Sequence, residues 1–132
     1  MRSELARRAR TGGFFDVASP DDLEDVVALY LQDKGYRIFP STSKTSMANY
    51  EYILAAPSGG RAAVQVKSGN VAWLDAAIPD GIEEYFVFMA HPNATIMSSD
   101  PRIRRIAPSE LEQFARASWI HLPRRLQRLW PV

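Results

Sequence analysis

The sequence predicts an α/β fold, with a mixed central β-sheet flanked by helices. Three observations carry that prediction. An amphipathic helix is written between residues 19 and 35, and two strand-like segments follow around Pro57-Ser58-Gly59-Gly60. A continuous apolar run, Tyr85-Phe86-Val87-Phe88-Met89, then precedes two further helical stretches. A run apolar at every position has no polar side to give to water, so it belongs inside a sheet covered by other elements. At 132 residues the chain has the size of one domain, long enough to bury roughly two-thirds of its unfolded surface without staples.

Residues 1–18 read as a basic N-terminal arm or short helix, broken at Thr11-Gly12-Gly13, and residues 19–132 as the single domain. Ser19 can accept from orphan amides, Pro20 suits the first helical position, and Asp21 and Asp22 favour the positive helix end. Leu23, Val26, Val27, Tyr30 and Leu31 then fall on one helical face, and Gly35 supplies the stop. Tyr36–Phe39 reads as a short strand and 40–49, rich in Ser and Thr, as a loop. Tyr50–Ala56 and Arg61–Lys67 read as a hairpin. Residues 71–83 fit strand and helix equally, Glu84–Ala90 is a buried strand, and Thr95–Met97 and Ile103–Ile106 are shorter strands. A second helix starts at Ser109 with Glu112 closing a capping box, and it places Leu111, Phe114, Ala115 and Trp119 on one side. Pro123 opens a last helix, where Leu126, Leu129 and Trp130 oppose Arg124, Arg125 and Arg128. The three tryptophans, Trp73, Trp119 and Trp130, are expected in the core rather than as stacking platforms.

Composition removes several classes of function. The chain has no cysteine, which excludes a disulfide framework, a thiolate zinc site and a Cys nucleophile. No apolar run is long enough to cross a bilayer, and the arginines of residues 1–10 precede no apolar signal region. The expectation is a cytoplasmic protein with no membrane partner. The net charge of +1 hides an uneven layout. Residues 1–10 carry four Arg against one Glu, residues 101–132 seven Arg against two Glu, and the stretch between them five basic against twelve acidic residues. Basic ends around an acidic centre fit a nucleic-acid binder with a cation site, and equally a pair of solvated arginine-rich helices.

No Gly-rich phosphate loop, dinucleotide fingerprint or nucleophile elbow is present, and His91 and His121 are too few for a histidine-rich zinc site. His91, at the end of a strand before Pro92, reads as a turn residue. What remains is Glu24 beside the apolar stripe of the first helix, Glu51 in the strand Tyr50-Glu51-Tyr52-Ile53-Leu54, and Gln65-Val66-Lys67 ending the next strand. Period-two alternation puts Gln65 and Lys67 on one face and Val64 and Val66 on the other. Carboxylate and amide oxygens suit a hard divalent cation, and a neighbouring lysine can orient water and offset phosphate charge. Glu51 shares the face of Gln65 and Lys67 only if the hairpin pairs with an even residue sum, as when 51 meets 65. The alternative is that Gln65 and Lys67 are the solvent side of an edge strand and Glu24 an exposed helix acid.

Leu23-Glu24 in an early helix, Gly35-Tyr36 at its end, Glu51 on a strand and Gln65-Val66-Lys67 after a hairpin resemble the PD-(D/E)XK nuclease superfamily, in the Q-x-K flavour of Mrr-like restriction endonucleases. The resemblance runs over residues 19–67 and implies a restriction-endonuclease-like fold and Mg2+- or Mn2+-dependent cleavage of DNA. It assigns Glu51, Gln65 and the Val66 carbonyl to the metal, Lys67 as the catalytic lysine and Glu24 as a supporting acid. This sequence departs from the family in carrying Glu51 where Asp is usual and Gln65 where a second acid is usual. Arg102, Arg104, Arg105, Arg124, Arg125 and Arg128 are candidate phosphate contacts, and a homodimer or a partner protein is expected to supply target recognition. The alternative within this fold is a catalytically inactive module that binds DNA or a protein.

Overall fold

The structure, a computed structural model, describes residues 13–39, 52–69 and 71–130. Of the arm or short helix expected at 1–18, residues 1–12 fall outside them, as do the loop at 40–49 and Glu51. The chain begins with a short helix α1 (Phe14–Val17), then α2 (Pro20–Asp33). Ser19 caps α2 reciprocally: its Oγ accepts from the Asp22 amide at 3.1 Å, and Asp22 Oδ2 accepts from the Ser19 amide at 2.8 Å. Leu23, Val26, Val27, Tyr30 and Leu31 are all buried, as their spacing predicts. Gly35, at φ +94°, makes the left-handed turn out of the helix, where a side chain would be strained.

Among the described residues seven strands follow: β1 (Arg37–Ile38), β2 (Tyr52–Ala55), β3 (Arg61–Lys67), β4 (Trp73–Leu74), β5 (Glu84–Met89), β6 (Thr95–Ile96) and β7 (Ile103–Ile106). Five form a mixed sheet in the order β1-β2-β3-β5-β7. The pairs β1–β2 and β2–β3 are antiparallel, while β3–β5 and β5–β7 are parallel. The hairpin pairs Tyr52 with Val64 and Ala55 with Arg61, which is the even register. β3 lies in the middle, so the edge-strand alternative for Gln65 and Lys67 does not hold.

The sheet divides two cores, and they are covered differently. On one face Leu54, Val64, Val66, Phe86 and Phe88 meet α1, α2, α3 (Pro108–Ala117) and α4 (Arg124–Leu129). On the other, Ala63, Tyr85, Val87 and Met89 meet Leu74, Ala76, Ile78, Ile82, Ala94 and Ile96. Those covering residues belong to the two crossovers, 68–83 and 90–102, which link the parallel strands. Among the described residues neither crossover holds a helix; each contributes a two-residue strand, and β4 and β6 pair parallel to form a second small sheet. The expected mixed sheet with flanking helices is present, and among the described residues the helices lie on one face of it. The physical reason is local. Leu74, Ala76 and Ile78 are half-buried and alternate with exposed Trp73, Asp75 and Ala77, a period of two that an extended chain satisfies. Pro79 and Gly81 then stop any helix. The same alternation overturns the expectation for Trp73, which points away from the sheet and is 63% exposed.

A second correction concerns α3. It starts at Pro108, with Ala107 as N-cap, rather than at Ser109. A residue before proline is held extended, so Ala107 cannot join the helix, and Glu110 rather than Glu112 reaches back, its Oε1 accepting from the Ala107 amide at 3.3 Å. Glu112 instead pairs with Arg116 one turn on, at 3.1 Å. Tyr30 ties α2 to α3: its ring meets Phe114 edge-on at 5.4 Å, and its hydroxyl donates to Glu110 Oε2. Burial and that carboxylate push the Tyr30 hydroxyl well above the usual tyrosine range. At the other end of α2, Arg125 of α4 donates to Asp22 Oδ2, and Trp130 packs fully buried against Phe14 at 4.8 Å. The helices therefore close over the first face as one layer.

Candidate functional site

Topology collects the expected residues at one edge of the sheet. Lys67, Met89 and Ile106 end the parallel strands β3, β5 and β7, and Tyr52 begins antiparallel β2 beside them. Carboxyl ends of parallel strands are where open α/β sheets bind ligands, because no side chain of the next strand fills that space. β3 is also the strand at which the sheet changes from antiparallel to parallel pairing.

Gln65 and Lys67 share the face of the crossover core, as alternation requires. Gln65 is only 7% exposed, and its Oε1 accepts from the Tyr85 hydroxyl at 3.1 Å. Tyr85 itself is 1% exposed, so the amide oxygen and the phenol satisfy each other where water is scarce. Tyr85 is the site residue that sequence reasoning missed, having been counted only as part of an apolar run. The available signal was chemical: a tyrosine inside a buried strand requires a hydrogen-bond partner, and the next strand offers the polar Gln65.

Lys67 pairs with Met89, and its carbonyl accepts from the Ala90 amide at 2.9 Å. Its side chain is half-buried, and no described carboxylate forms an ion pair with it. Since the Lys67 carbonyl points to β5, alternation turns the Val66 carbonyl toward the β2 side, while the Val66 side chain packs in the helix-covered core. Glu24 is half-buried on α2, and its backbone carbonyl accepts from the Tyr52 hydroxyl at 3.3 Å. Glu24 thus reaches the same edge as Lys67, but on the helix-covered side of the sheet. Glu51 lies outside the described residues; the hairpin beside it has the even register that its expected role requires.

The six arginines are not brought together. Arg102 lies at the opposite edge, forked onto Asp100 at 3.0 and 2.7 Å and donating to the Ile82 carbonyl at 3.0 Å. Its guanidinium and amide hold the Asp100 carboxyl down to about 2, well below the usual range. Arg104 and Arg105 point to opposite faces, the first toward Glu84 at 3.7 Å and the second to the Ala94 carbonyl at 2.7 Å. Glu84 also accepts from the Tyr36 hydroxyl at 2.8 Å. Burial first, then that carboxylate, pushes the Tyr36 hydroxyl up to about 12, with Arg104 opposing. Arg125 is committed to Asp22, while Arg124 and Arg128 are exposed on α4. His91 closes a turn, its Nδ1 accepting from the Asn93 amide at 3.1 Å, as its turn reading anticipates.

For a divalent cation the described donors at this edge are the Gln65 amide oxygen and the Val66 carbonyl. Among the described residues no group of three or more His, Asp or Glu side chains is placed to hold a metal. No described helix is long and apolar enough to cross a membrane. A surface cleft of about 290 Å3 lies elsewhere, lined by Leu29, Asp33, Phe114 and His121 on the outer side of α2. Comparison with protein-family models, with curated proteins and with solved structures finds no match to this chain.

Proposed function

We propose that this chain is a metal-dependent endonuclease that hydrolyses DNA phosphodiester bonds at the carboxyl edge of its central sheet. The observation that supports this reading best is the placement of Lys67. It is a half-buried lysine with no ion-pair partner among the described residues, beside Gln65 on the central strand of a mixed sheet. A lysine at this edge with no described carboxylate neutralising it can serve as a point charge for a phosphate. In this reading Lys67 orients the attacking water and offsets phosphate charge. Gln65 and the Val66 carbonyl, with Glu51, would hold Mg2+ or Mn2+, and Glu24 would support from α2. When bound, the cation supplies Lewis-acid stabilisation of the charge that develops on phosphate.

One observation favours the second reading, an inactive module of the same architecture that binds DNA or a protein. Gln65 is already engaged by Tyr85 and nearly closed off from solvent. A single experiment separates the two. Supercoiled plasmid incubated with the protein in magnesium or manganese is expected to be nicked, and Lys67→Ala is expected to abolish nicking. Salt-sensitive DNA binding without metal-dependent nicking would establish the second reading, and neither activity would remove both. A cytoplasmic location and a homodimer or recognition partner belong to the same proposal.

A further inference from the structure

The small parallel sheet lies in the layer that covers the second core, and its outer side carries two exposed apolar side chains. Trp73 and Met97 are 63% and 56% exposed. Leu74, Ala76 and Ile78 of one crossover and Ile96 of the other pack inward. Alternation therefore turns Trp73 and Asp75 outward on the first crossover, and Thr95 and Met97 outward on the second. Trp73 pairs with Thr95 in register, and the Met97 amide donates to the Leu74 carbonyl at 2.6 Å, which sets Met97 beside Asp75. Two residues apart on one side of an extended chain, Trp73 and Asp75 stand about 6.7 Å from each other. The layer is also acidic. Residues 71–100 hold Asp75, Asp80, Glu83, Glu84 and Asp100 and no Lys or Arg. Arg102 and Arg104 meet Asp100 and Glu84. Asp75, Asp80 and Glu83 form no ion pair with a described residue. Arg105 reaches the layer too, but its guanidinium donates to the Ala94 carbonyl at 2.7 Å rather than to a carboxylate.

We propose that the outer face of β4 and β6 docks an arginine from a short basic segment of a protein partner, its guanidinium stacked on the Trp73 indole and forked onto the Asp75 carboxylate. Charge, shape and size select this occupant. An indole face attracts a cation more strongly than other aromatic rings do, and the exposed Asp75 beside it adds a full negative charge. A guanidinium is flat and carries its donors in a rigid fork, so one group covers the ring and engages the carboxylate together. A lysine ammonium is a point charge with no such plane. Met97 offers its thioether to the methylene stem of the same arginine. Anionic ligands are disfavoured by Asp75 and by the lack of Lys and Arg over residues 71–100. Two large side chains expose at most a few hundred Å2, well below the roughly 800 Å2 per partner of a stable interface between folded proteins. The occupant is therefore a short segment rather than the face of a domain. The inference is independent of the nuclease reading. Gln65 and Lys67 face the core beneath this layer, whereas Trp73 and Asp75 stand on its far side.

The test titrates a fluorescein-labelled tetra-arginine peptide with the full chain at low salt and follows its anisotropy. Tetra-lysine and tetra-glutamate peptides with the same label are the controls. Tetra-arginine is expected to bind more tightly than tetra-lysine, and tetra-glutamate not to bind. Asp75→Asn should weaken tetra-arginine binding by about 2- to 5-fold, the range of an exposed ion pair. Trp73→Ala should weaken it by about 2- to 5-fold as well, the range of an exposed cation–π contact, and Trp73→Phe should retain part of it. Circular dichroism checks that the variants fold, which exposed positions permit. The protein supplies a second readout. Trp130 is fully buried and Trp119 half-buried, with its Nε1 donating to the Trp130 carbonyl at 2.8 Å, so Trp73 is the most exposed of the three tryptophans. Tetra-arginine should therefore change the tryptophan emission of the parent and leave that of Trp73→Phe unaltered. Binding like the parent by Trp73→Ala or Asp75→Asn, or tetra-lysine binding as tightly as tetra-arginine, overturns the proposal. So does self-association that Trp73→Ala abolishes and tetra-arginine does not displace, which would assign the face to a second copy. Plasmid nicking is read separately in magnesium. Lys67-dependent nicking without tetra-arginine binding leaves the nuclease standing and removes the docking site, whereas binding without nicking does the reverse.

Discussion

Removing the hydroxyl of Tyr85 asks whether the polar pair beneath the site is worth what its surroundings imply. Tyr85 Oη donates to Gln65 Oε1 at 3.1 Å, with the two residues 1% and 7% exposed. A neutral hydrogen bond of this kind contributes about 1 kcal/mol net, and an orphaned buried acceptor costs about 1–3 kcal/mol. The slight exposure of Gln65 places Tyr85→Phe in the lower part of that range, a loss of about 1–2 kcal/mol. Urea unfolding should show a lower midpoint with an unchanged slope, since the folded and unfolded surfaces are almost the same. The melting temperature should fall by roughly 3–8 °C for a chain of this size. The double variant Tyr85→Phe/Gln65→Leu removes both polar partners, so it should lose less than the two single variants combined, by about 1 kcal/mol. Strictly additive losses, or a Tyr85→Phe midpoint equal to that of the parent, would refute the pairing. A second readout bears on function. Tyr85→Phe frees a lone pair of Gln65 Oε1, so magnesium or manganese should raise the midpoint of the variant more than that of the parent. An identical metal effect on both would remove Gln65 from the proposed donor set.

Three further predictions address the frame that holds the edge in place. Ser19→Ala removes the acceptor of the Asp22 amide and should cost about 1 kcal/mol in urea unfolding; a loss of only a few tenths would mean that water caps α2 equally well. Gly35→Ala places a side chain at φ +94°, its Cβ 3.1 Å from Pro57 Cγ, and should cost about 1–2 kcal/mol; unchanged stability would refute the need for glycine there. Asp100, held down to about 2 by Arg102, contributes stability that is complete above the ordinary carboxylate range and fades as pH falls from about 4 toward 2. Carboxyl NMR titration should find its midpoint near that value, and Arg102→Ala should return it to the usual range; a normal midpoint in the parent would break the assignment.

Much of the fold was legible because local chemistry and tertiary context agree. The α2 stripe, its Ser19 cap and the Gly35 stop are short-range devices, and the structure uses each as read. The Arg61–Lys67 and Glu84–Met89 strands and the short Ile103–Ile106 strand likewise follow from pattern and turn residues. Ser109 offers a capping side chain for α3, but Pro108 imposes the stronger constraint and starts the helix one residue earlier. Large aromatic residues are usually buried, which points Trp73 to the core, whereas alternation over Trp73–Ile78 turns it outward. Of the candidate site, the shared face of Gln65 and Lys67 follows from alternation alone. The Tyr85 partner does not, because it lies twenty residues away and depends on which strands pair.

The sequence by itself therefore determined most of the helices and strands outside residues 71–83 and which side of each is apolar, since capping, φ preference and periodicity act within a few residues. Only the tertiary structure decided that β3 is central, that β3, β5 and β7 run parallel and that the described helices share one face. Those outcomes depend on strand order and register, which arise from contacts far apart in the chain. The same long-range pairing sets Lys67 at the carboxyl edge, separates it by the sheet from the face carrying Glu24, and scatters the arginines to different faces and edges. The residue types suited to binding a phosphate backbone were visible in one dimension; which of them lie side by side was fixed by the sheet.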